Sequence, residues 1–326
     1  MTQFLSLFTS AITFGTVIMF GAMGEIITEK GGHLNLGVPG IMYLGGISGL
    51  LAAFFYERAG GASPIMGMLL SLIACFLGAA FGGLIYAFLT ITLRANQNVT
   101  GLTLTIFGGG VANFFGGSLN KLSGGVGQIS VALTSSAYRA QIPGLSSINV
   151  IGKAFFSYGF MAYLAIVLAV FLTYFLTRTR SGLQLRAVGE NPGTADAAGI
   201  NVTKYKYLAT CLGAGISGLG GVYYVMDYIK GTWANDGILE GLGWLAVALV
   251  IFATWKPVRA IWSSYLFGMV YWAYMYIPGL TRGSQELFKM LPYLVTLIVL
   301  IIVSLRKKRE DQPPASLGLS YFREER

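Results

Sequence analysis

The chain has 326 residues, of which 55% are hydrophobic and 11% charged, with a formal net charge of +9 and a mean hydropathy of +0.67. Soluble domains carry about 25% charged residues, so the composition excludes a soluble globular domain and predicts an all-α, polytopic transmembrane helical bundle. The positive charge lies beside the spans and needs no nucleic acid to explain it.

Windows of about 20 residues, long enough to cross a bilayer, place spans near 4–27, 36–56, 64–93, 98–117, 157–177, 206–228, 240–255, 258–277 and 288–305, nine in all, with a tenth left open. The first span lacks a basic leader and a small-residue cleavage pattern, so it reads as a retained span in a chain that begins at or near Met1. Next comes Thr28–Gly40, TEKGGHLNLGVPG, where Gly31–Gly32 and Pro39–Gly40 bracket a short segment with Leu34, Leu36 and Val38. It reads either as a broken helix facing protein or a cavity or as a plain cytoplasmic turn. His33, the only histidine, has no second ligand or catalytic partner in sequence and reads as a polar turn residue.

Glycine, 45 residues, recurs at four-residue spacing in apolar segments, as at Gly45/Gly49 and Gly78/Gly82, which lets helix backbones approach closely in lipid. Cys75 and Cys211 lie far apart in apolar segments without metal-ligand spacing and read as packing residues with no disulfide. The segment 118–156, with GGVG at 124–127 and IPGL at 142–145, reads as an external loop whose short helices cap a cavity or meet a soluble partner.

The insert Arg178–Tyr207 is the largest polar interruption among the spans. Ser181–Gly182, Gly189, Asn191–Pro192 and Gly199 break helix repeatedly, so short helices joined by turns are expected, a compact knob in place of one long spoke. Arg178, Arg180, Arg186, Lys204 and Lys206 flank it. With the N-terminus outside, 15 of the 22 Lys and Arg residues fall on the inner side. That excess sets the C-terminus and the insert in the cytoplasm. The RKKR run at 306–309 opens a basic cytoplasmic tail, 306–326, that stops at the anionic inner leaflet.

Several chemistries are missing. No phosphate loop G-x-x-x-x-G-K-[ST] occurs, so ATP is not used by this chain itself. Glu25 is the one acid clearly embedded in a span, too few for the buried ionisable relay of a proton- or sodium-driven carrier. No Ser/His/Asp, paired-carboxylate or metal constellation has workable spacing.

TEKGGHLNLGVPGIM (28–42), RANQNVTGL (94–102) and RAVGENPGTADAAGINVTKYKY (186–207) resemble, in this order, the permease subunits of ABC importers of the branched-chain amino acid, ribose and nucleoside group. The spacing is most similar to nucleoside permeases that work beside basic-membrane-protein-type lipoproteins. Pro39 stands where that family often has Glu, and Glu25 where it commonly has an apolar residue.

The resemblance implies a domain 1–305 that forms a path for a small-molecule substrate, with residues 178–205 as the cytoplasmic coupling loop. It also implies three partners: a cytoplasmic ABC ATPase that holds the ATP and magnesium, a second permease chain, identical or homologous, and an extracytoplasmic solute-binding lipoprotein. Gly189, Glu190, Asn191, Pro192, Ala195, Asp196, Ala197, Gly199 and Ile200 then serve energy coupling, and the chain is not itself an enzyme and binds no cofactor. For a nucleoside, aromatic faces and amides suit the path. The candidates are Asn96, Asn98, Asn113, Phe114, Tyr223, Tyr224 and Trp244, with the amides ahead because they need partners in an apolar span. A simple-sugar permease and a free-standing carrier or channel remain the alternatives.

Overall fold

The structure, a computed structural model, describes residues 2–122, 129–141, 149–234, 237–277, 279, 281–306 and 311–322. GGVG at 124–127, IPGL at 142–145 and residues 307–309 of the RKKR run lie outside the described residues.

Apolar runs set the architecture. The helices are α1 (Thr2–Lys30), α2 (Val38–Arg58), α3 (Pro64–Ala87), α4 (Gln97–Leu122), α5 (Ala132–Tyr138), α6 (Asn149–Phe155) and α7 (Phe160–Arg178), then α8 (Arg180–Glu190), α9 (Pro192–Ala197), α10 (Val202–Tyr223), α11 (Ile238–Phe252), α12 (Pro257–Trp272) and α13 (Arg282–Arg306). Among the described residues there is no β-strand, only a single bridge between Ser130 and Thr232. Among the described residues, seven helical segments are long and apolar enough to cross a membrane: α1, α2, α3 with its continuation to Thr92, α4, α7, α10 with its continuation to Tyr228, and α13. The other two expected spans fall on α11 and α12, of 15 and 16 residues. At about 23 Å each they are shorter than the ~30 Å hydrocarbon core.

The centre of the bundle is α1, α2, α3 and α10, and glycine explains why they sit so close. A Cβ on Gly24 of α1 would collide with the Gly213 carbonyl of α10, and one on Gly45 of α2 would lie 2.5 Å from the Gly218 Cα. Backbone meets backbone at both crossings, the gain that small residues bring where lipid supplies no hydrophobic drive. Gly49, Gly78 and Gly82 also sit at crossings, against Val222, Ser48 and Leu44. Cys75 is buried in the core and Cys211 half-buried, both as free thiols.

Between α1 and α2 the chain neither forms a loop in water nor continues as helix. Gly31, Gly32, His33, Asn35 and Gly37 are buried, so backbone polar groups there need protein partners. They find them: the Leu34 N–H donates to Gln97 Oε1 (2.8 Å), the Asn35 N–H to Glu25 Oε1 (2.9 Å) and the Gly37 N–H to Asn35 Oδ1 (2.9 Å). Tyr86 and Thr105 hydroxyls donate to the Leu34 and Leu36 carbonyls. Of the two sequence readings of 28–40, the break that faces protein is the one the structure has.

The far end of the bundle is closed by α5. The Thr134 N–H donates to Glu57 Oε1 (2.8 Å), the Ser135 hydroxyl to the Met226 carbonyl (2.8 Å) and the Val131 N–H to the Gly231 carbonyl (3.0 Å). Short helices in 118–156 are therefore present, and α5 seals the ends of α2, α3 and α10.

Candidate functional site

The insert folds as three pieces, each with a local cause. Thr179 caps α8 through its hydroxyl, which accepts from the Gly182 N–H (3.1 Å). Asn191 ends α8 and caps α9, its Oδ1 accepting from the Thr194 N–H (3.0 Å), while Pro192 supplies the preset first turn. The end of α9 is a Schellman motif: Gly199, at φ +82°, donates to the Asp196 carbonyl (2.9 Å), and the Ile200 N–H donates to the Ala195 carbonyl (3.0 Å). Asn201 then caps α10 through the Lys204 N–H (2.9 Å).

The knob has its own small core of Val188, Ala195 and Val202, with Ile200, Tyr205 and Tyr321 against it. It sits on the bundle at Gly189, where a Cβ would collide with the Lys30 carbonyl at the end of α1. The nine nominated coupling residues therefore divide by burial. Gly189 and Ala195 are buried and hold the knob, Pro192, Asp196 and Ile200 are half-buried, and Glu190, Asn191, Ala197 and Gly199 face outward.

A second strand of chain, absent from the sequence reading as a contact, fixes the knob from below. Residues 311–322 run back across it as a strap. The Ser316 N–H (3.1 Å) and hydroxyl (2.6 Å) both donate to the Gly189 carbonyl, the Ala315 N–H to Glu190 Oε2 (3.4 Å) and the Tyr321 hydroxyl to Asp196 Oδ2 (2.8 Å). Asp311 anchors the start, 2.9 Å from both Lys256 Nζ and Arg259 Nη1. The hydrogen bond from Lys256, then the charge of Arg259, holds the Asp311 carboxyl below the usual range. Phe322 ends the strap under the Arg94 guanidinium, 4.4 Å from its ring centre. Residues 311–322 of the expected basic tail are thus built into the knob and carry no Lys or Arg.

These contacts collect the ends of α1, α3 and α12's approach, the start of α10 and the strap at one end of the bundle. Lys30, Arg94, Lys204, Lys206, Lys256 and Arg259 of the sequence-derived inner set lie on these segments. Glu25 has a neighbour that sequence reasoning missed. Glu29, 3% exposed, accepts the Trp255 indole N–H, and Glu25, 1% exposed, accepts the Asn35 N–H. The Glu25 carboxyl holds the break between α1 and α2, and the Glu29 carboxyl ties the end of α1 to the turn between α11 and α12.

The proposed path residues are not brought together. Asn96 and Asn98 are exposed at the start of α4, where Asn96 Oδ1 accepts from the Val99 N–H (3.1 Å) and caps the helix. Asn113 and Phe114 lie about four turns, or ~22 Å, further along, with Phe114 exposed and Asn113 half-buried. Asn113 Oδ1 is buried without a partner among the described residues. One turn on, Gly116 is pressed against Trp233, whose indole N–H also has none. Tyr223 and Tyr224 are in the core, and Trp244 is half-buried on α11.

A bundle of long apolar helices with a rigid knob braced on one end defines a multi-pass membrane protein of the permease class. The chain belongs to the family described as branched-chain amino acid transport system, permease component, which it matches over residues 7–300. Among its relatives, the nucleoside ABC transporter permease protein NupC of Lactococcus lactis subsp. cremoris is 35% identical over 89% of this chain and 90% of its own length. The guanosine ABC transporter permease protein NupQ of Bacillus subtilis is 31% identical over 99% of each. TsgC13 of Haloferax volcanii, provisionally named a glucose ABC transporter permease protein, is 34% identical over 81% of this chain and 75% of its own. No solved structure gives a significant match.

Proposed function

We propose that this permease forms the translocation path of an ATP-driven nucleoside importer, with its N-terminus outside and the knob in the cytoplasm. Likeness to nucleoside and guanosine permeases over nearly the whole chain carries the substrate class. The excess of Lys and Arg at the knob end carries the orientation. Force enters through the knob. A partner ATPase, which holds the nucleotide and magnesium, grips the outward residues Glu190, Asn191, Ala197 and Gly199. Gly189, Pro192, Ala195, Asp196 and Ile200 pass the movement to the ends of α1 and α10 through packed backbone. A second permease chain completes the path, and an extracytoplasmic solute-binding lipoprotein delivers the solute.

Asn113 leads the path residues, because a buried amide oxygen without a protein partner is costly until a solute or water meets it. Phe114, Tyr223, Tyr224 and Trp244 offer ring faces. Asn98 and Asn96 stand at the other end of α4, where the capping bond already occupies Asn96.

Co-purification from the native membrane in mild detergent tests the assembly. An ATPase, a permease chain and a lipoprotein are expected with this one, whereas recovery of the chain alone points to a free-standing carrier. The likeness to TsgC13 favours a sugar as the second reading. Uptake of labelled guanosine that excess uridine inhibits and excess glucose does not separates the two.

A further inference from the structure

Next to the knob lies a cavity of about 680 Å³, enclosed by the break between α1 and α2, the end of α3, the corner from α9 to α10 and the tip of the strap. Its wall is cationic: Arg94, Lys204 and Lys206 line it, against the single carboxylate of Asp196, which already accepts the Tyr321 hydroxyl. Lys206 is 3% exposed, and its Nζ has no hydrogen-bond partner among the described residues. His33 is 2% exposed with neither ring nitrogen partnered. Burial, with Lys206 nearby, pushes the imidazole pKa down to about 3, so at neutral pH it is an uncharged ring with one donor and one acceptor.

A buried ammonium without a hydrogen-bond partner is unfavourable until an acceptor meets it. Arg94 adds a fixed element: its backbone is held at φ +56° and its guanidinium stacks over Phe322. Three cations at the wall outnumber its one carboxylate and suit an anionic ligand. Its volume lies within the ~300–1,000 Å³ typical of small-molecule sites, more than one acidic side chain fills.

We propose that this cavity binds a phosphate-bearing ligand of nucleotide size, its phosphate on Lys206, Arg94 and Lys204. The ligand touches the break after α1, the corner after α9 and the strap at once, so its binding stiffens the braced knob. The inference stands apart from the assigned transport substrate, which is uncharged.

The test uses the full chain in phosphatidylcholine nanodiscs without an ATPase, with adenosine 5′-monophosphate, inorganic phosphate and adenosine as probes. The monophosphate is expected to bind and to raise the melting temperature, phosphate to bind more weakly, and adenosine to do neither. Arg94→Gln, at an exposed side chain, and Lys206→Met are each expected to weaken monophosphate binding about ten-fold or more, the loss of one charged contact. Arg94→Gln keeps the test sound if Lys206→Met fails to fold. In phosphatidylglycerol discs, loss of monophosphate binding assigns the phosphate to a lipid headgroup, and unchanged binding assigns it to a soluble ligand. No monophosphate or phosphate binding at millimolar concentration, or binding that neither substitution alters, overturns the proposal. So does binding that appears only after residues 323–326 are removed, which gives the cavity to the chain's own Glu324 or Glu325. ATPase docking that Lys206→Met abolishes in a chain that binds no nucleotide likewise overturns it, in favour of an acidic side chain of the partner.

Discussion

The Tyr321 hydroxyl reaches back across 125 residues of sequence to donate to Asp196 Oδ2 at 2.8 Å. This bond joins the strap to α9, the short helix of the knob. Two more anchors, Ser316 on Gly189 and Asp311 between Lys256 and Arg259, make the strap a brace whose loss would leave the knob held by its own ends and its seat at Gly189.

Tyr321→Phe removes one hydrogen bond and leaves the ring in place. A loss of about 1 kcal/mol of local stability is expected, read as faster amide exchange over residues 188–202 with unchanged exchange in α1. Removal of residues 311–326 is expected to leave membrane insertion intact and to expose the knob to protease. Equal protection of the knob with and without the strap would refute the brace.

The strap's first anchor depends on pH. Asp311 has its carboxyl held below the ordinary value, so its contribution is fully present above about pH 4, the unfolded value, and is lost as pH falls through the folded one. A spin label at Leu319 is expected to stay ordered from pH 8 to pH 5 and to loosen below about pH 4. In Asp311→Asn it is looser throughout, and its response to pH in that window is smaller.

Substitution at a backbone crossing is expected to act on folding and not on coupling. Gly24→Leu forces a side chain into the Gly213 carbonyl, and overpacking of this kind costs about 1–3 kcal/mol or more. A collapse of monodisperse protein in gel filtration is the expected readout, while Gly110→Ala, at an open position on α4, is expected to leave the yield unchanged.

Outward knob residues are expected to behave in the opposite way. Ala197→Trp leaves the small knob core of Val188, Ala195 and Val202 untouched; Glu190→Arg spares the same core but also removes the acceptor of the Ala315 N–H from the strap. Normal yield with uptake reduced at least about ten-fold is expected, while the ATPase activity of the assembly continues uncoupled. Asp196→Arg confounds the two effects, because it also breaks the Tyr321 bond.

Much of this architecture was legible because lipid imposes a simple code: long apolar runs became helices, and the break at Gly31–Gly32 became a buried crossing. The knob was legible for local reasons, since Asn191, Pro192 and Gly199 act on their neighbours in sequence. What escaped depends on distant partners. Glu29 draws no reading from the sequence, yet Trp255, 226 residues on, satisfies it in the interior. The strap sequence DQPPASLGLSYF has no helical or alternating period, and its order comes from the carbonyl and carboxylates of the knob. The path amides could be nominated singly, and the span 98–117 already set Asn98 and Asn113 about four turns apart, but no sequence signal stated that Trp233 comes to lie against Gly116, one turn beyond Asn113.

The most direct measurement is guanosine uptake into proteoliposomes that contain this chain with the ATPase and permease recovered beside it, with the binding lipoprotein outside and ATP inside. The account predicts uptake that requires ATP hydrolysis and disappears in Ala197→Trp while hydrolysis continues. Uptake that persists without ATP or without the ATPase would contradict it and make this chain a carrier in its own right.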